Sequence, residues 1–134
     1  MSVALNPSAE SPFVLFGGEP GVRALVDAFY DHMDLDEVFA GIRRLHPELL
    51  DGSRDKLYWF FCGWLGGPNH YVERFGHPRL RARHLPFPIA EAERDAWLAC
   101  MRAALVDCGV DARLSAWLMA QLSGTADWMR NRAV

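Results

Sequence analysis

The amino-acid sequence predicts an all-α fold in a single domain. Several stretches carry apolar residues every three or four positions, no stretch alternates apolar and polar residues for long enough to form a sheet, and the chain has 134 residues. A chain of this length buries about two-thirds of the surface that it exposes when unfolded. Because 51% of the residues are hydrophobic, we expect a well-formed core rather than disorder. Prolines interrupt residues 1–12, which we expect to be a loose extension, and residues 13–134 form the predicted domain.

The first elements are a short turn and a long helix. A helical turn around residues 13–16 is followed by the pair Gly17-Gly18, which predicts a sharp corner. Over residues 19–34, an apolar stripe with helical spacing places Tyr30 on the inward face. The residues of that stripe are Val22, Leu25, Val26, Phe29, Tyr30 and Met33.

Further helical stretches follow, separated by proline and glycine. Weak helical spacing covers residues 35–45 and ends before Pro47, which disfavours helical geometry at the residue before it. Stronger apolar stripes cover residues 51–65 and about 90–108, and Asp111 can cap a last helix. The apolar face of that last helix consists of Leu114, Trp117, Leu118, Leu122, Trp128 and Met129.

Residues 69–88 are the one long stretch without a clear apolar stripe. They contain Gly76, Pro78, Pro86 and Pro88, so we predict irregular structure there. Long irregular segments in compact domains often carry function.

Composition argues against several classes of protein. The net charge of −3 gives no electrostatic footprint for nucleic acid or for an anionic membrane. Cys62, Cys100 and Cys108 are odd in number and lack CxxC spacing, so we expect buried free thiols in a reducing compartment. We find neither a signal segment nor an apolar run long enough for a membrane span. These features favour a cytoplasmic protein without a nucleic-acid or membrane partner.

The five histidines are the first candidates for metal chemistry, since imidazole is a common metal ligand. None forms an HExxH motif, and the cysteines have no zinc spacing. His84 differs from the others because arginines precede it and an apolar segment with two prolines follows it. A porphyrin needs such a mixture: one imidazole for its iron, apolar walls for its ring and cationic partners for its propionates. From the residues alone, a solvated surface histidine is the favoured alternative.

Two further groups of residues each have more than one interpretation. Tyr30 and Trp97 lie on predicted inward faces, and each has a polar hydrogen that needs a partner when buried. That hydrogen could serve a bound ligand or a local hydrogen bond in the core. The alternating Arg79, Arg81 and Arg83 could bind nucleic acid, hold propionates or form a solvated face. The acidic net charge argues against the first.

A series of motifs occurs along the chain in a characteristic order. They are Gly17-Gly18, Phe29-Tyr30, Leu45-His46-Pro47, Trp64 to Pro68, Tyr71, Gly76 to Arg81, His84, Phe87 and Trp97. In this order, over roughly residues 13–130, they resemble the group II truncated haemoglobins. The resemblance implies a truncated globin fold, which is a two-over-two helical sandwich that encloses haem b.

The same resemblance implies roles for individual residues. His84 would be the proximal ligand of the haem iron, while Tyr30 and Trp97 would face the bound ligand from the distal side. The residues expected to complete the distal pocket are His46, whose orientation the resemblance leaves open, Ser53 and Leu57. The residues expected to contact the haem itself are Phe29, Phe60, Phe61, Tyr71, Leu80, Arg83, Phe87 and Met101, with Tyr71 and Arg83 as the propionate partners.

The function implied by the resemblance is reversible binding of dioxygen or another diatomic ligand, such as NO or CO, in a polar distal pocket. A second hypothesis is a peroxidase-like or nitric-oxide-oxidising haem enzyme. Its reductase would be a separate protein, because the chain has no recognisable flavin or nicotinamide motif. A third is a helical interaction module without haem, which would be colourless when purified. A monomer and a homodimer are both compatible with the sequence.

Overall fold

The structure of the protein, a computed structural model, describes residues 10–131, which form eight α-helices, one 3₁₀ turn and no strand. The elements are α1 (Pro12–Leu15), α2 (Gly18–Leu35), the 3₁₀ turn (Glu37–Phe39), α3 (Ala40–Arg43), α4 (Asp51–Trp64), α5 (His70–Phe75), α6 (Leu80–His84), α7 (Glu91–Asp107) and α8 (Ala112–Trp128). The predicted all-α class is confirmed. Most of the predicted N-terminal extension, residues 1–9, lies outside the described residues.

A short first helix and a glycine corner direct the chain into α2. The Ser11 hydroxyl accepts a hydrogen bond from the backbone N–H of Val14 (3.3 Å) and caps α1. Gly17 and Gly18 have φ values of +99° and +68°, a left-handed geometry that residues with side chains rarely adopt. The corner predicted at this pair is confirmed.

The long helices form two layers of two. α2 packs against α4 in one layer and against α7 in the other, and α7 packs against α8. The apolar stripe predicted for α2 is buried along its whole length, from Val22 to Met33. Each large apolar side chain buried in this way contributes about 1.5–3 kcal/mol to folding. None of the helices within residues 10–131 is both long and apolar enough to cross a membrane.

Contacts at both ends fix the position of α4. Near its start, the Arg54 guanidinium binds the carboxylates of Asp27 (3.1 Å) and Asp31 (2.7 Å) on α2. Just beyond its end, Gly67 lies against the ring of Phe13, and a Cβ at this glycine would come within 2.5 Å of the ring. Only glycine therefore permits this approach between the exit of α4 and the start of the domain.

Side-chain caps define the starts of α7 and α8. The Glu93 carboxylate accepts a hydrogen bond from the backbone N–H of Ala90 (2.7 Å), just before α7. The Asp111 carboxylate accepts hydrogen bonds from the backbone N–H groups of Arg113 (3.0 Å) and Leu114 (3.2 Å). The cap predicted at Asp111 is confirmed.

Three sequence predictions differ from the structure. The prediction of irregular structure over residues 69–88 is wrong in part, because α5 and α6 lie there. These helices have six and five residues, so they are too short to show an apolar stripe. Cys108 is exposed rather than buried because it lies in the turn after α7, whereas Cys62 and Cys100 are buried as predicted. Trp128, expected on the apolar face of α8, ends that helix with 62% of its surface exposed.

Candidate functional site

His84 ends α6, and its ring is held by its own helix. The Nδ1 atom lies 2.6 Å from the backbone oxygen of Leu80. A carbonyl oxygen only accepts hydrogen bonds, so Nδ1 carries the proton and Nε2 of the neutral ring keeps a lone pair. Metal-ligating histidines commonly have this arrangement, which fixes the tautomer and the ring orientation.

The backbone that leads into α6 is strained. Arg79, immediately before the helix, has a φ of +49° and is the one non-glycine residue with a positive φ in the described part of the chain. This geometry costs an L-residue about 1–2 kcal/mol. Strain of this kind is found preferentially at functional sites.

Ring side chains from three separate stretches of the chain meet in a cluster, which we call the distal group: Phe29, Tyr30, His46 and Trp97. The ring centroid of Phe29 lies 4.9 Å from that of Tyr30 and 5.0 Å from that of Trp97. The centroids of Tyr30 and His46 are 5.8 Å apart. Beside the group, the buried Cys100 thiol on α7 donates a hydrogen bond to the backbone oxygen of Phe29 (3.1 Å) on α2. The two helices are thereby joined where the distal group lies.

Two polar hydrogens of the distal group, those of Tyr30 and Trp97, are left unused by the residues that the structure describes. No group in residues 10–131 forms a hydrogen bond with the Tyr30 hydroxyl or with the Trp97 indole N–H. Burial raises the pKa of Tyr30, an effect that the nearby Arg54 guanidinium opposes only in part. Tyr30 therefore keeps its proton at physiological pH and can donate it in a hydrogen bond to a ligand.

His46 lies at the edge of the distal group with its ring turned inward. Its Nδ1 atom lies 2.8 Å from the backbone oxygen of Ile42, so Nδ1 carries a proton. Burial lowers the pKa of His46; the hydrogen bond to the Ile42 oxygen opposes this effect in part, and the positive charge of Arg43 adds to it. The neutral ring has a lone pair on Nε2, so it accepts a hydrogen bond at that atom rather than donating one.

Aromatic residues of α4 and α5 form a second cluster of rings. The ring of Phe60 lies 6.2 Å from those of Phe61 and Tyr71, by centroids. At the outer edge, the Arg83 guanidinium carbon lies 5.8 Å from the centroid of Tyr71. The Arg83 Nε–H donates a hydrogen bond to the backbone oxygen of Pro78 (2.8 Å). The structure thus pairs the two residues that the resemblance assigns to the propionates.

The other predicted contact residues differ in exposure. Ser53, Leu57 and Leu80 are half-buried. Met101 is fully buried, one helical turn after Trp97. Phe87 is 41% exposed and lies at the surface.

Two residues at the site have no recognisable signal in the sequence. The Arg54 guanidinium carbon lies 5.9 Å from the centroid of Tyr30, although Arg54 belongs to the charged start of α4. Asn131, after α8, donates hydrogen bonds from Nδ2 to the backbone oxygens of His84 (3.1 Å) and Phe87 (2.8 Å). Both contacts join residues far apart in the chain, and periodicity within one helix does not reveal such contacts.

The chemistry of these side chains fits a porphyrin. An imidazole lone pair at His84 is suited to iron, aromatic and aliphatic side chains suit the ring, and Arg83 is a cation suited to a propionate. The unused polar hydrogens of Tyr30 and Trp97 suit a small ligand that carries partial negative charge.

Comparison with known proteins identifies globins at the level of family, sequence and structure. The model of a family described as bacterial-like globin matches residues 11–131. The chain is 38% identical over 128 residues to group 2 truncated hemoglobin YjbI of Bacillus subtilis, covering 96% of this chain and 94% of that protein. It is similar to the group II 2-on-2 hemoglobin structure from Agrobacterium tumefaciens (TM-score 0.89, 40% identity, 95% of this chain and 98% of that one). It is also similar to the structure of a truncated oxygen-avid haemoglobin from Bacillus subtilis (TM-score 0.82, 38% identity, 91% of this chain and 100% of that one).

Proposed function

We propose a function for this chain, which belongs to the bacterial-like globin family. We propose that it holds haem b through His84 and reversibly binds dioxygen or another diatomic ligand. The observation that carries the proposal is the His84 ring, whose Nδ1–H is committed to the Leu80 carbonyl while Nε2 keeps its lone pair. Haem iron supplies the coordination bond to the ligand. The chain supplies the iron ligand, the walls and the hydrogen bonds.

Tyr30 and Trp97 would stabilise the bound ligand. Each offers one polar hydrogen that no group in residues 10–131 uses, and a dioxygen ligand with partial negative charge accepts such hydrogens well. A hydrogen bond to a charged acceptor contributes about 1.5–3 kcal/mol, which is one to two decades in the rate of release. Slow release suits sensing, scavenging or chemistry better than bulk delivery. The similar structure of a truncated oxygen-avid haemoglobin from Bacillus subtilis supports the proposal that dioxygen is released slowly.

The remaining predicted residues would shape the haem cavity. We place Ser53 and Leu57 on the distal side and Phe60, Phe61, Leu80, Phe87 and Met101 at the ring. Arg83 and Tyr71, already paired at the outer edge, would bind the propionates. His46 would accept a hydrogen bond from a water molecule in the distal pocket, because its protonated nitrogen faces the Ile42 carbonyl.

Absorption spectra of the purified protein test this proposal. We expect a Soret band in the ferric form, a five-coordinate spectrum after reduction and a stable oxygenated spectrum in air. A colourless protein after expression with adequate haem would instead support the helical interaction module. A six-coordinate ferrous spectrum that no diatomic ligand changes would contradict reversible binding.

Oxidation of nitric oxide is a second candidate, favoured by the same two unused polar hydrogens. Retained dioxygen and nitric oxide would combine to nitrate, leaving ferric iron, and a separate reductase would return one electron. Stopped-flow mixing of the oxygenated protein with nitric oxide tests this. Rapid, stoichiometric nitrate formation is expected, and slow or partial formation would remove the candidate.

A further inference from the structure

Asn131 forms a two-sided contact with the segment that follows His84. Its Nδ2 donates hydrogen bonds to the backbone oxygens of His84 (3.1 Å) and Phe87 (2.8 Å). Its Oδ1 accepts a hydrogen bond from the backbone N–H of Ile89 (3.0 Å), and its own N–H donates to the Ile89 oxygen (2.8 Å). Asn131, which follows α8, therefore forms hydrogen bonds with both ends of residues 84–89.

Residues 84–89 can form few hydrogen bonds among themselves. Pro86 and Pro88 lack a backbone N–H, so they cannot donate the hydrogen bonds of regular structure. α6 has only five residues, and a helix this short is not stable without tertiary contacts. The hydrogen bonds of Asn131 supply such contacts at the point where α6 ends.

His84 is thereby fixed at two places. Its ring is held at Nδ1 by the Leu80 oxygen (2.6 Å). Its carbonyl oxygen accepts two hydrogen bonds, one from the Phe87 N–H (3.0 Å) and one from Asn131 Nδ2 (3.1 Å). A backbone fixed at the carbonyl limits rotation of the peptide that follows the histidine, and so limits the tilt of α6.

Other contacts join the same two regions. The Arg81 guanidinium on α6 donates to the backbone oxygen of Arg130 (3.5 Å). Met129, between α8 and Asn131, is buried. The end of α8 is therefore anchored in the core before it reaches the His84 segment, so Asn131 has a rigid support.

We propose that Asn131 is a positioning residue that sets the orientation of His84 toward the haem iron. This inference rests on the proposed function. It assigns to the end of α8 a part in the strength of the iron–imidazole bond, although Asn131 itself contacts neither the iron nor the ligand.

Resonance Raman spectroscopy of the unliganded ferrous protein tests the inference through the iron–histidine stretching band. In Asn131→Ala, we expect this band to shift and broaden, and transfer of haem to an excess of apomyoglobin to become about tenfold faster. Asn131→Asp keeps the acceptor for the Ile89 N–H but loses both donated bonds. It should show the same change in the band, and it serves as the test if the alanine variant fails to fold.

Two control variants separate positioning from general loss of stability. Asp111→Ala removes the cap at the other end of α8, and Gln121→Ala alters an exposed amide on the same helix. Both should leave the band unchanged. A band in the Asn131 variants with the position and width of the wild type would overturn the inference, as would an equal shift in Asp111→Ala. Absence of the band from the wild-type protein would instead overturn the proposed role of His84.

Discussion

At the scale of single residues, His84 and His46 share one local arrangement. Each has its Nδ1 within hydrogen-bond distance of the carbonyl oxygen four residues earlier, at 2.6 Å and 2.8 Å. Each neutral ring therefore has its free lone pair on Nε2. What distinguishes them is their surroundings. His84 ends a helix on a segment held by Asn131, whereas His46 lies beside the Tyr30 ring in the distal group.

The two donors of the distal group should control ligand release. In Trp97→Phe and in Tyr30→Phe, we expect dioxygen to dissociate about ten to one hundred times faster than from the wild type, because each variant loses one hydrogen bond to the ligand. Laser photolysis or stopped-flow replacement by carbon monoxide measures the rate.

Matched substitutions outside the distal group provide the controls. Trp117→Phe on α8 and Tyr58→Phe on α4 remove the same chemical groups elsewhere. Their release rates should match that of the wild type. A rate in Trp97→Phe no faster than in Trp117→Phe would contradict the role of the indole.

The buried His46 should make the fold sensitive to acid. Burial lowers its pKa in the folded state, so as the pH falls below about 6.5 the unfolded chain takes up the proton first. The free energy of unfolding should therefore fall between pH 7.5 and pH 5.5, and it should fall less steeply in His46→Phe. Urea unfolding of both proteins at several pH values measures this difference. Parallel pH curves would show that His46 titrates equally in both states.

At the scale of elements, the candidate site combines residues of short helices with residues of the long helices. α5 and α6 have only six and five residues, yet they supply Tyr71 and His84. The long helices provide a rigid frame, and α2 contributes Phe29 and Tyr30 from its buried face. The proposed iron ligand, His84, thus lies on a helix that is too short to be stable alone, and tertiary contacts hold this helix in place.

The cap of α8 offers a test at this scale. Asp111→Ala removes hydrogen bonds to the N–H groups of Arg113 and Leu114, and the loss of such a cap costs about 0.5–2 kcal/mol. Thermal unfolding followed by circular dichroism should show a lower Tm for Asp111→Ala and an unchanged Tm for Gln121→Ala. Equal values for wild type and Asp111→Ala would mean that the cap adds nothing to stability.

At the scale of the whole molecule, the candidate site takes its aromatic side chains from several helices: α2 and α7 supply Phe29, Tyr30 and Trp97 of the distal group, and α4 and α5 supply the second cluster of rings. The proposed cofactor would fill this site and link the layers. Anything that binds only the folded state stabilises it. Haem would therefore contribute to the stability of the fold as well as to ligand binding.

Removal of haem should accordingly destabilise the protein. After acid–ketone extraction, we expect the apoprotein to unfold at a lower temperature than the holoprotein, and stoichiometric haem to restore the Tm. Calorimetry of both forms measures the difference. An apoprotein with the Tm of the holoprotein would argue against haem as part of the folded core.

The sequence predicts the long helices better than the site. Regular apolar spacing identifies α2 and places Tyr30 inward because burial of one helical face imposes that spacing. α5 and α6 have no such signal, because helices of six and five residues are too short for apolar spacing to repeat. Local chemistry alone leaves His84 as a surface histidine, and only the order of motifs along the chain singles it out. Asn131 has no signal in the sequence because its partners in this segment are backbone atoms, which any residue provides.

The most direct test of the central claim compares the two histidines by the iron–histidine stretching band of the unliganded ferrous protein. The account predicts that the band is present in the wild type and in His46→Ala, and that it is lost in His84→Ala unless imidazole is added. Retention of the band in His84→Ala without added imidazole, or its loss in His46→Ala, would contradict the assignment of His84 as the iron ligand.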